Sequence, residues 1–125
     1  MVKGFVVMDL LLEIEALYKE LVGILEAQRK RALVFIIKEL HYSLHLMDAY
    51  KANPYHNPTA LKALHLELLQ VYKGINQPHI GLSDFYIHHD DFETRVQLNE
   101  PLSSIQHKLS HVFYQQIEPL YIKRY

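Results

Sequence analysis

Val7, Leu11, Ile14, Tyr18, Leu21 and Leu25 recur at spacings of four and three, which places them on one face of a helix. This pattern constrains the fold more than any other feature, because a strand alternates its faces every second residue and cannot use it. Leu10, Leu17 and Ile24 widen the face, while Glu13, Lys19, Glu20 and Glu26 fall mostly outside it. The spacing predicts a first helix over about Phe5 to Ala27, its start softened by Gly4 and the β-branched pair Val6 and Val7.

A second stripe, Leu33, Ile37, Leu40, Leu44 and Met47, predicts a helix over about Arg29 to Ala52. Between Leu25 and Leu33 the stripe slips by about 80° at 100° per residue. The slip is read as a turn around Gln28 to Arg31 that produces an antiparallel hairpin. The junction holds neither Gly nor Pro, so one long helix bent by a stutter stays open as the other reading.

The run Asn53-Pro54-Tyr55-His56-Asn57-Pro58 is a loop. Asn57 is placed as an N-cap with Pro58 at the first helical position, opening a third helix that runs to about Lys73 and stops at Gly74. Its inward residues are expected to be Leu61, Leu64, Leu68, Val71 and Tyr72. Beyond the loop from Gly74 to Gly81, Ser83 and Asp84 are expected to cap a short helix through about Thr94, with Phe85, His88 or His89, and Phe92 on one face. Alternation in Asp84 to Ile87 would also suit a strand. Asn99-Glu100-Pro101 is expected to open the last helix, with Ile105, Leu109, Val112, Phe113 and Leu120 inward and a stop or kink at Pro119. The reading is one all-α domain over residues 1–125, a four- or five-helix bundle, mostly antiparallel with short loops.

Composition narrows the function classes. Thirteen basic and fourteen acidic residues give a net charge of -1, which is no nucleic-acid footprint. The run Arg29-Lys30-Arg31 is read as a solvated face or turn. No apolar stretch approaches membrane length, and the reading of Phe5 to Leu12 as a signal peptide is rejected because Asp9 interrupts the run and no small-residue cleavage site follows. With no Cys, disulfides and thiolate chemistry are excluded, and a reducing cytoplasm fits. Four glycines without a Gly-x-Gly cannot form a phosphate-cradling loop.

Nine histidines are the unusual count. His41 and His45 lie four apart, followed by Asp48. With Leu40 at the core direction, Asp48, His41 and His45 fall at about 80°, 100° and 140°. That strip, with His65 from the next helix, is the candidate ligand set for a divalent zinc, iron or manganese ion. Its bland counterpart is a set of boundary imidazoles bonded to water or tyrosine. His107 and His111 lie nearly opposite the stripe of the last helix, and Glu118 shares that outer strip, so these are read as solvated. Asn53-Pro54-Tyr55-His56-Asn57 resembles a stretch of cyclic-nucleotide phosphodiesterases over five residues. That family has a second His four residues on, where this chain has Ala60, so no role is carried over.

The apolar and aromatic surface exceeds what one bundle hides. The preferred reading is therefore a non-enzymatic protein-binding bundle, such as a regulator, antitoxin, immunity-type protein or phage-encoded adaptor. Phe35, Tyr42, Tyr114 and Tyr121 are its candidate contact residues, with a protein partner or a second copy bound and no cofactor. The alternative is a metal-binding bundle on His41, His45 and Asp48 with redox or hydrolytic activity. A third reading is an assembly that responds to pH through histidine charging.

Overall fold

The computed structural model describes residues 2–76, 82, 85 and 87–122, with side chains from Asp9 onward. It is an all-α bundle of four long helices. Helix α1 spans Val2–Gln28, α2 Val34–Ala52 and α3 Pro58–Ile75. The fourth is composite, with α4 over Phe92–Ser110, a π-helical stretch over His111–Ile117, and a last turn, α5, over Glu118–Tyr121. Among the described residues, no helix is long and apolar enough to cross a membrane.

Side-chain pairs set the directions. Glu26 lies 3.9 Å from His41, and Glu15 is paired with Lys51, so α1 and α2 run antiparallel. On the other side, Tyr72 stacks on Phe113 and His65 bonds Tyr121, which makes α3 antiparallel to the composite helix. Tyr18 meets Phe113 and closes α1 onto that helix. The stripe of α1 is buried as expected from Leu10 to Leu25, with Ile24 partly covered. In α2 the buried line is Ile36, Leu40, Ser43 and Met47. Ile37 and Leu44 are only partly covered, so this helix is rotated toward Ile36 relative to expectation.

The hairpin, not the long bent helix, is the arrangement found. Arg29 adopts φ 52, the left-handed conformation usually left to glycine. Its N–H donates to the Glu26 carbonyl at 3.2 Å, and a 3-10 turn over Arg31–Leu33 leads into α2. A side chain in that conformation costs about 1 kcal/mol. Arg29→Gly is therefore expected to stabilise the fold by roughly 0.5–1 kcal/mol, seen as a higher urea midpoint. An unchanged or lower midpoint would show that Arg29 is unstrained there.

The start of α3 is as expected, with Asn57 Oδ1 accepting from the Ala60 N–H at 2.7 Å. The region before α4 is not. Phe85 and Ile87 to His89 are not helical, which overturns the expected short helix; Ser83, Asp84 and Tyr86 lie outside the described residues. The next helix starts at Phe92, ahead of the expected Asn99. Asp91 takes the N-cap, its carboxylate accepting from the Thr94 N–H at 2.9 Å and the Thr94 hydroxyl at 2.8 Å. These bonds hold the Asp91 carboxyl below its usual pKa range. Asn99, the expected cap, lies inside α4 and clamps Ile87 instead. Its Oδ1 accepts from the Ile87 N–H at 2.6 Å, and its Nδ2 donates to the Ile87 carbonyl at 2.7 Å. Pro101 is accommodated within the helix on its exposed side.

Pro119 does not end the last helix, which runs on to Tyr121. The turn before it widens instead, with the Glu118 N–H bonding to the Phe113 carbonyl five residues back. A π turn holds one more residue than an α turn, so everything beyond it is displaced by about 100° around the axis. A regular helix would put Tyr121 and Glu118 at about 160° and 220°, against a stripe centred near 60°. The extra residue brings Tyr121 onto the stripe and Glu118 to its edge. Glu118 is accordingly buried and ion-paired with Lys73 at 3.0 Å, not on the solvated strip expected for it.

Candidate functional site

The outer face of α2 carries most of the residues singled out from the sequence. His41, His45 and Asp48 are exposed. Two of them have ionisable neighbours within 4 Å. His41 faces Glu26 of α1, and Asp48 lies 3.7 Å from Lys51, which also holds Glu15. His65 is elsewhere. It is fully buried on α3, its Nδ1 sharing a 2.8 Å hydrogen bond with the Tyr121 hydroxyl. Among the described residues, no group of three or more His, Asp or Glu side chains is placed to hold a metal ion. The structure thus does not gather His41, His45, Asp48 and His65 into one set.

Of the aromatic candidates, Phe35 is 56% exposed and Tyr42 45% exposed. The two are seven residues apart, so they share one side of α2 two turns apart. Val34, which sequence reasoning missed, is 58% exposed beside Phe35. Tyr42 is anchored at its tip, its hydroxyl donating to Glu67 of α3 at 3.3 Å, and that carboxylate raises the phenol pKa. Tyr121 is differently placed. Its ring packs against the core, its hydroxyl bonds His65, and the Lys62 ammonium lies 5.9 Å from the ring centre. Its side chain is committed within the bundle.

Tyr114, 38% exposed, belongs to a second feature. A groove of about 480 Å³ runs between the end of α3 and the composite helix, lined by Tyr72, Asn76, Ser103, Gln106, His107, Ser110 and Tyr114. Ser103, Gln106, His107, Ser110 and Tyr114 follow helical spacing, so they form one strip beside the buried stripe. The Ser110 and Asn76 side chains lie beside the Tyr72 hydroxyl and act to lower its pKa against the effect of burial. Gln106 Nε2 donates to the Leu82 carbonyl at 2.9 Å. Burial raises the pKa of Tyr72 and Tyr114, with the Glu118 charge adding to the rise at Tyr114. The polar strip was visible in the sequence, but His107 was read as solvated because the facing wall from α3 was not. No protein-family model, curated protein or solved structure matches the chain.

Proposed function

We propose that this chain is a non-enzymatic binding module of the cytoplasm, a small regulator or adaptor that docks a protein on the outer face of α2. The observation that carries the reading is the adjacent pair Val34 and Phe35, each more than half exposed at the start of α2. Two large apolar side chains held in water on a rigid helix lose burial free energy that a partner surface would recover. Aromatic anchors of this kind dominate interface energetics. Tyr42, its hydroxyl fixed by Glu67, adds a second contact with little further ordering to lose on binding.

A photo-crosslinking residue at position 35, compared with one at exposed Lys108, tests the reading in the native cell. The expected result is a discrete adduct from position 35 only, with itself or with one other protein identified by mass spectrometry. Excess wild-type protein should compete it away, and excess Phe35→Asp should not. Equal, uncompeted labelling from both positions would defeat the proposal.

A further inference from the structure

The groove between α3 and the composite helix lies apart from the α2 face, and its chemistry is of another kind. Its walls present the phenols of Tyr72 and Tyr114, the hydroxyls of Ser103 and Ser110, the carboxamides of Asn76 and Gln106, and one imidazole. No Asp, Glu, Lys or Arg is among the described lining residues. The geometry points to a binding site for a small neutral polyhydroxylated ligand, a monosaccharide or a cyclitol.

Three observations select that class. First, the groups are set in advance. Tyr72 is buried with its ring stacked on Phe113 at 4.4 Å and 16°, and the Ser110 and Asn76 side chains lie beside its hydroxyl. Gln106 is held by Leu82. Fixed donors and acceptors of this kind bind without paying for their own ordering. Second, each carboxamide offers a donor and an acceptor side by side, and each hydroxyl offers both roles. Vicinal hydroxyls of a sugar ring present the same pairing, whereas a carboxylate or phosphate presents acceptors alone. Third, the described lining residues hold no fixed cation to offset the charge of an anion. The α3 helix ends at Ile75, so its last carbonyls carry the negative end of the helix dipole toward this end of the groove. Tyr114 supplies the remaining element, a ring tilted 58° to Tyr72 and open to solvent on one side, against which the C–H face of a sugar can lie. The volume of about 480 Å³ lies within the range of small-molecule sites.

Titration of the full chain, followed by amide chemical shifts, tests the assignment. The probes are glucose, galactose, mannose and myo-inositol, with inorganic phosphate as the anionic comparison. At least one neutral probe is expected to give saturable shifts centred on Asn76 and on residues from Ser103 to Tyr114, and phosphate is expected to give none there. Ser103→Trp, which fills the groove from an exposed position, and Tyr114→Ala, which removes the platform, should each weaken the binding by about tenfold or more, with their melting temperatures retained. Failure of all four neutral probes to saturate, preferential binding of phosphate, or binding unaffected by both substitutions would overturn the assignment.

Discussion

Phe113→Ala is expected to destabilise the protein by about 3–5 kcal/mol, the usual cost of truncating a fully buried aromatic residue. Phe113 has no exposure and lies where three helices meet. Its ring stacks on Tyr72 of α3 at 4.4 Å and meets Tyr18 of α1 at 6.2 Å. Both neighbours would border the resulting cavity, and neither can collapse into it freely. Tyr72 is buried with Ser110 and Asn76 beside its hydroxyl, and Tyr18 is itself fully buried. Domains of this size are stable by only about 5–15 kcal/mol, so the loss is a large share of the total. Urea denaturation would show a lower midpoint at unchanged slope, and the melting temperature should drop by roughly 10–20 °C. Tyr114→Phe, one residue along and partly exposed, should cost less than about 1 kcal/mol. A loss below about 1 kcal/mol at Phe113 would mean that the aromatic cluster does not hold the three helices together.

What was legible in the sequence was what depends on residues within about one helical turn. The stripe of α1 and the start of α3 at Asn57 and Pro58 are of this kind, since a cap or an amphipathic face is decided by neighbours three and four residues away. The departures have non-local causes. At Arg29 the chain turns with a residue that local preference would not choose, in a left-handed conformation between α1 and α2. Asn99 read as a cap from its neighbours, yet it lies inside α4 and binds both backbone groups of Ile87, a contact twelve residues away that local spacing does not show. At the last helix a uniform 100° per residue fails after Ser110, because the π stretch adds a residue ahead of Pro119. That one offset moved Glu118 from the solvated strip to the bundle edge and carried Tyr121 onto His65. The groove was half legible. Its strip on α4 follows from spacing, but Tyr72 and Asn76 reach it only through the fold.

The His65–Tyr121 contact made by that offset has a consequence that pH will expose. Burial lowers the His65 pKa from its ordinary 6.5 to about 4. Its Nδ1 meets the Tyr121 hydroxyl, while its Nε2 has no hydrogen-bond partner among the described residues. Protonation would therefore place a charge and a second N–H in the core with nothing to accept from it. Around the pair, Lys62 of α3 lies over the Tyr121 ring and Tyr50 of α2 acts on the Tyr121 phenol, and burial is the cause of the lowered His65 pKa. Because the folded pKa lies below the unfolded one, the unfolded chain takes up the proton first as pH falls. This contribution to stability is fully present above pH 6.5, is lost between 6.5 and 4, and changes no further below that. The difference amounts to about 3 kcal/mol at 1.36 kcal/mol per pKa unit. Urea denaturation of the wild type and of His65→Gln from pH 7.5 to 4 isolates it, since other titrating groups act on both proteins alike. The stability of the wild type relative to the variant should fall by that amount across the window, and the His65 ring signal should not titrate above pH 5. Parallel stability curves, or a ring titrating near 6.5, would show that His65 reaches water in the folded state and that the last turn does not seal it.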